Sequence, residues 1–262
     1  MTVLTLALAI VMSLLMPAPG KAIKTTSRPF SIPVLVYHHI APQVPQFGVQ
    51  WYVPPEKFDQ ELAFLHDGGY HTISVDSYVQ ALQDPGIDLP SRAIVLTFDD
   101  GYDDAYTRAY PLLKQYGLTG TFYIITGQVG QPGYLTWDQI REMQANGMEI
   151  GAHTISHPFL TQKDIFQAFS EIWVSRVVLA EQLGTPVTTF AYPYNDHNRF
   201  VTLLPLLAGF TSACIVDYHS GDVSNDFFAI PRFSILSGES PSTFAAVAES
   251  HGLMLTSLAA GR

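Results

Sequence analysis

Two short stretches of this 262-residue chain could do chemistry together. The first is Thr97-Phe98-Asp99-Asp100-Gly101-Tyr102, in which two adjacent carboxylates close the apolar run Ala93-Ile94-Val95-Leu96. That run is unbroken rather than alternating, so it reads as a strand covered on both faces, as strands of parallel sheets usually are. Neighbouring side chains on a strand point to opposite faces. At a strand's end, where Gly101 lets the chain turn, both carboxylates can still reach one cavity, one as metal ligand and the other as base. Taken alone, Asp-Asp-Gly is more simply the cap of a helix that begins near Asp103.

The second stretch, His153-Thr154-Ile155-Ser156-His157, follows the short apolar strand Met148-Glu149-Ile150. Two histidines four apart lie on one face of a helical turn, the spacing at which imidazoles can share one transition-metal ion. Singly, each reads as an ordinary polar histidine. With one carboxylate they make three protein ligands with room for a water, the composition of a catalytic rather than a structural zinc site.

Together with Phe190-Ala191-Tyr192-Pro193-Tyr194, and in this order, these motifs resemble those of the polysaccharide deacetylase family, also called the NodB-homology domain and carbohydrate esterase family four. The likeness runs from about Ile32 to about Phe244. Pro33-Val34-Leu35-Val36-Tyr37-His38 is similar to the opening of the branch that removes acetyl groups from poly-β-1,6-N-acetylglucosamine. The resemblance implies an irregular (β/α)7 barrel of the NodB-homology type. It also implies that Asp100, His153 and His157 hold a divalent metal, zinc first and cobalt or nickel as alternatives, and that Asp99 is the general base. By the same resemblance the Tyr194 backbone N–H helps hold the oxyanion, His38 protonates the leaving amine nitrogen, and Val36 or Leu35 lines the pocket for the acetyl methyl group.

Three departures from the wider family pattern carry expectations of their own. Ala191-Tyr192 stands where many members place an arginine that orients the base. Arg232, in Ile230-Pro231-Arg232-Phe233, is the expected substitute, because arginine can clamp a carboxylate bidentately; a surface guanidinium is the alternative reading. Asn195 stands where many members have glycine, and asparagine tolerates positive φ better than most residues. Many members take the general acid from a late Leu-x-His segment, whereas the late His251 here has no apolar strand before it. His39 is the rival of His38. As its neighbour on a strand it should point the other way unless the strand ends at Tyr37.

Strand-like runs occur at Val34–Tyr37, His71–Ile73, Ala93–Phe98, Gly120–Ile125, Met148–Ile150, Thr188–Ala191 and Thr211–Val216. Helical patterns lie at Glu56–Leu65, Val75–Leu82, Asp104–Tyr116, Trp137–Ala145, Thr161–Leu183 and His197–Ala208. Phe58, Leu62 and Leu65 follow the i, i+4, i+7 rule with Gly68-Gly69 closing the helix, and Pro111 should kink its own. Repetition of this kind implies a parallel sheet, and seven units imply a closed or nearly closed barrel. Its functional groups gather at the C-terminal strand ends, where His38, Asp99, Asp100, His153 and Tyr194 all fall.

The apolar run Val3–Met16 is too short to span a bilayer comfortably, so residues 1–22 read as a signal peptide, 23–31 as a linker and 32–262 as one deacetylase domain. No Lys or Arg precedes that run, which leaves an uncleaved anchor as the alternative. Cys214 is the single cysteine, so no internal disulfide forms, and its apolar neighbours make it a packed strand residue rather than a nucleophile. A formal charge of −10 argues against nucleic acid and anionic membrane surfaces as partners and suits a neutral or increasingly cationic glycan. Phe47, Trp51, Tyr52, Tyr134 and Trp137 are loop aromatics that could stack on sugar rings. The expected protein is thus a secreted or envelope-held, monomeric, metal-dependent N-deacetylase of an N-acetylglucosamine polymer. Peptidoglycan, chitin and acetyl-xylan are the alternative substrates, and a catalytically silent glycan-binding module is the alternative class. A structural zinc domain would instead want a closed four-ligand set with cysteines.

Overall fold

The structure is a computed structural model and describes residues 32–42, 48–84, 86–216 and 226–250. The expected signal segment 1–22, the linker 23–31, Phe47 and His251 lie outside the described residues.

Ten strands are described: β1 (Val34–Tyr37), β2 (His39–Ile40), β3 (Tyr52–Val53), β4 (His71–Thr72), β5 (Ala93–Phe98), β6 (Thr121–Ile124), β7 (Glu149–Ala152), β8 (Thr189–Ala191), β9 (Ser212–Val216) and β10 (Ile230–Ser234). Parallel pairing runs β1-β10-β9-β8-β7-β6-β5, and β1 also pairs with β5, so these seven strands close on themselves. The barrel is irregular because β4 pairs only with the start of β5, and β2 and β3 form a separate parallel pair. Two expectations are corrected here. His71–Ile73 is not one of the seven barrel strands, and the missing member is β10, whose Pro231, Arg232 and Ser234 break any apolar run.

The helices are α1 (Pro55–Asp67), α2 (Val75–Gln83), α3 (Tyr110–Gln115), α4 (Trp137–Ala145), α5 (Ile165–Leu183), α6 (Leu203–Leu207) and α7 (Pro241–Ala248). Ahead of Pro111 the chain takes a π-helical turn, Ala105–Ala109. This wider turn accommodates a residue that has no N–H to donate and whose ring crowds the preceding turn. The start of α5 is set at Ile165 rather than Thr161 because the Asp164 carboxylate accepts from Phe166 N and Gln167 N as an N-cap. The last helix, α7, had no counterpart in the apolar patterning; Ser240 caps it by accepting from Thr243 N.

Alternation along the strands divides the core into two layers. Val34, Ala93, Val95, Tyr123, Ala191, Cys214 and Ile230 pack together inside the barrel, while Leu35, Tyr37, Ile94, Leu96 and Phe98 pack in the larger cluster shared with the helices. Gly151 is required beside Tyr123, since a Cβ there would stand 2.5 Å from the tyrosine ring. The Tyr123 hydroxyl lies 2.8 Å from Thr189 Oγ1 and 3.2 Å from Cys214 Sγ. Burial pushes the Cys214 thiol up to about 11, which makes it a packing residue and a poor nucleophile. At the opposite end from the strand C-termini, Glu149 accepts from Thr121 Oγ1 at 2.6 Å, Val75 N at 2.9 Å and Asp76 N at 3.1 Å, tying β7 to the N-terminus of α2.

Candidate active site

The inward-facing positions of β5 continue through Thr97 to Asp99, which is 4% exposed where the strand ends. The inward side chain of β10 is Arg232, 1% exposed, and its guanidinium reaches across to Asp99. Nη1 donates to Oδ1 and Nη2 to Oδ2, each at 2.7 Å. Nη1 also donates to Thr97 Oγ1 at 3.0 Å and Nε to the Ile215 carbonyl at 3.3 Å, so the fork is held from three sides. Burial by itself would raise the Asp99 pKa; the charge and hydrogen bonds of Arg232 outweigh it and keep this carboxyl below its usual range. Arg232, the expected substitute for the missing arginine, thus has its guanidinium clamped on both oxygens of Asp99.

Asp100 would face outward, like Phe98, if the strand continued. Instead Asp100 has φ 74° and Gly101 φ 73°, and this left-handed pair turns its carboxylate back over the barrel mouth. Its Oδ1 lies 3.3 Å from His153 Nε2 and 3.2 Å from His157 Nε2, and the two Nε2 atoms are 3.2 Å apart. The histidines do not meet on a helical turn, contrary to expectation. Thr154 (φ 67°) and His157 (φ 57°) are both left-handed, and these two bends swing the imidazoles together. The loop is fastened locally by His157 N donating to Thr154 Oγ1 at 2.9 Å. From α5, Glu171 accepts from Ile155 N and Ser156 N, each at 2.9 Å, and from Ser156 Oγ at 2.7 Å. Glu171 has no motif that would mark it in the sequence.

His153 Nδ1 lies 2.7 Å from the Ala191 carbonyl, an acceptor only, so the proton sits on Nδ1 and the Nε2 lone pair faces Asp100 and His157. Asp100 Oδ1 is buried and has no hydrogen-bond partner, although three donor atoms of Asp100, His153 and His157 converge within 4.8 Å. Edges of 3.2 to 3.3 Å match the spacing of about 3.4 Å between tetrahedral ligands that each stand about 2.1 Å from a zinc-like ion. The residues fit a divalent cation held by three protein ligands with a fourth position left over.

His38 continues the inward series Val34, Val36 and lies just past the end of β1. Its ring packs 4.5 Å from Trp51, and its buried Nδ1 has no hydrogen-bond partner. Burial lowers its pKa, opposed by the charges of Asp100 and Asp99. His39 faces the other way. Its Nδ1 lies 2.6 Å from Asp104, and its ring is sandwiched between Tyr52 at 4.1 Å and Tyr102 at 3.7 Å. Val36 shares the inward side with His38, whereas Leu35 belongs to the outer core. After β8, Tyr194 (φ 56°) and Asn195 (φ 57°) form a left-handed turn. The Asn195 amide secures it, donating to the Val216 carbonyl at 2.7 Å and accepting from Val216 N at 2.8 Å, which a glycine could not do. Of the loop aromatics, Trp137 packs against the core and Tyr134 sits 5.3 Å from Tyr102.

Comparison with known proteins adds a second line of observation. The family model described as polysaccharide deacetylase matches residues 86–212. A Bacillus subtilis (strain 168) protein, YxkH, named for polysaccharide deacetylase activity, is 30% identical over 227 residues, covering 86% of this chain and 78% of the relative. The poly-beta-1,6-N-acetyl-D-glucosamine N-deacetylase of Staphylococcus aureus (strain MSSA476) is 27% identical over 201 residues, 70% of this chain and 67% of that protein. The solved structure of the Streptococcus pyogenes deacetylase PplD in complex with acetate superposes with a TM-score of 0.77 at 30% identity, covering 83% of this chain and 98% of that one.

Proposed function

The chain belongs to the polysaccharide deacetylase family, and from that premise we propose that it is a metal-dependent N-deacetylase of an extracellular N-acetylglucosamine polymer, poly-β-1,6-N-acetylglucosamine first among them. The observation that carries this reading is the buried Asp99–Arg232 pair beside the Asp100, His153 and His157 triangle. A protein that only binds glycans gains nothing from an ionised carboxylate aimed next to three convergent metal ligands.

We assign zinc to Asp100, His153 and His157; when bound it would supply a Lewis acid that acidifies a water and polarises the acetamide oxygen. Asp99, kept ionised and oriented by Arg232, takes the proton of the attacking water. The Tyr194 backbone N–H, in the turn secured by Asn195, donates to the oxygen that becomes negative as the tetrahedral carbon forms. His38 delivers a proton to the nitrogen as the C–N bond breaks, leaving acetate and a glucosamine. Its lowered pKa makes the protonated ring a stronger acid than an ordinary imidazolium.

The β-1,6 linkage is supported by the name of the Staphylococcus aureus relative and by a histidine supplied from the first strand. Export to the cell envelope is supported by the apolar run at residues 3–16, and the enzyme works as a monomer in this reading. Among the described residues no helix is long and apolar enough to cross a membrane. The deciding experiment is acetate release from a panel of β-1,6 and β-1,4 N-acetylglucosamine oligomers, peptidoglycan fragments and acetyl-xylan, with and without a chelator. Fastest release from β-1,6 oligomers, lost on chelation, is expected. Fastest release from β-1,4 oligomers would remove the linkage assignment, and no release from any substrate would remove the activity.

A further inference from the structure

None of these steps uses the exposed side chains of Phe159 and Tyr194. We propose that they form a stacking platform for the sugar ring next to the one being deacetylated, so that the protein acts on a chain rather than on a monosaccharide; this rests on the deacetylase reading above. The two rings lie parallel, with centroids 4.1 Å apart and an interplanar angle of 13°. Although stacked on each other, Tyr194 remains 57% and Phe159 44% exposed. What sets them apart from other exposed apolar side chains is that two aromatic rings are held parallel beside the site, with area left free for a ligand.

The position is what selects a sugar. The Tyr194 ring stands 4.3 Å from the ring of His157, at 64°, so the platform abuts the metal-ligand triangle, within one sugar of a ligand reacting there. The next residues, Leu160 and Thr161, line a cavity of about 360 Å³ together with Asn198 and Phe200. The C–H face of a pyranose ring is apolar and weakly positive, the complement of an aromatic face. The platform also suits a product strand, since a glucosamine ammonium over the outward face of the stacked pair gains a cation–π contact.

The platform is pre-organised, because the loops that carry its two rings are braced to one another. Thr161 donates to Asp196 from both its backbone N and its Oγ1, each at 2.7 Å. Asn195 pins the Tyr194 turn to Val216, and Glu171 holds the loop before His157. A ligand therefore meets rings already in place, and little ordering is lost on binding.

The test compares kcat/KM for monomeric, dimeric and tetrameric N-acetylglucosamine in wild type, Phe159→Ala and Phe159→Tyr, with metal content and Tm measured for each. The gain from monomer to tetramer should fall on the order of tenfold in Phe159→Ala, the equivalent of one aromatic contact of about 1.4 kcal/mol, and Phe159→Tyr should restore it. Acetate release with an unchanged length profile in Phe159→Ala would overturn the platform alone. No acetate from any oligomer with the wild type would overturn the deacetylase reading and the platform with it.

Discussion

Replacing Arg232 by methionine keeps much of the side-chain volume and removes the guanidinium. Arg232 is 1% exposed, and both oxygens of Asp99 accept from it at 2.7 Å, so the change leaves a carboxylate that is itself 4% exposed without its cation. Breaking one side of a buried pair costs about 3 to 5 kcal/mol, because the remaining charge is left desolvated and unpaired. In a domain of this size each kcal/mol moves Tm by about 2 to 4 °C, so Arg232→Met should melt on the order of 6 to 20 °C lower. The pH dependence should change sign as well. In the wild type the depressed Asp99 pKa contributes stability above the unfolded value of about 3.9, lost as pH falls through the lower folded value. Without Arg232, burial raises the folded pKa above the unfolded one, and this group then loses stability as pH rises through that window. The double variant Arg232→Met with Asp99→Asn buries no charge and should recover most of the loss, while both single variants and the double one release acetate several orders of magnitude more slowly. Urea denaturation of the four proteins at pH 5 and pH 7 gives the cycle. Additive losses, or an Arg232→Met variant within about 0.5 kcal/mol of wild type, would refute the reasoning.

Wild-type protein should retain one divalent ion per chain after dialysis, and Asp100→Ala, His153→Ala and His157→Ala should each lose it; full occupancy in His153→Ala by metal analysis would remove the assignment. His38→Ala should keep the metal and lose turnover. In the wild type the alkaline limb of kcat/KM should centre below the ordinary imidazole value of about 6.5, since burial lowers this pKa and the protonated acid disappears as pH rises through it; a flat profile from pH 5 to pH 9 would count against the role. Glu149, pushed up to about 7 by burial, keeps its proton in the folded state while the unfolded chain releases it near 4.5. Stability should therefore fall as pH rises through that window, and Glu149→Gln should flatten the fall; a urea midpoint that rises there in the wild type would contradict it.

The local chemistry was readable because it lies within short segments. An unbroken apolar strand ending in Asp99 and Asp100, a strand followed by His153 and His157, and repeated strand-helix units carry the barrel class and the cluster of aspartates and histidines at one end of it. Strand β1 ends at Tyr37, yet the alternation carries on past it, so His38 faces inward and His39 turns out to Asp104. What the linear chain did not display is everything that depends on closure and on backbone bends. Strand β10 has no apolar signature, since its inward position holds a guanidinium whose partner lies 133 residues earlier. It becomes a barrel strand only when pairing with both β1 and β9 brings Arg232 within reach of Asp99. The histidines converge through left-handed residues at Thr154 and His157, conformations that neither residue type prefers, and contacts from Thr154 and the distant Glu171 hold them. Phe159 is one more loop aromatic in the sequence. The tertiary structure sets it against Tyr194 through the Asp196–Thr161 brace, because ring contact between two loops is decided by where the strands beneath them pair, and pairing is a property of the closed barrel.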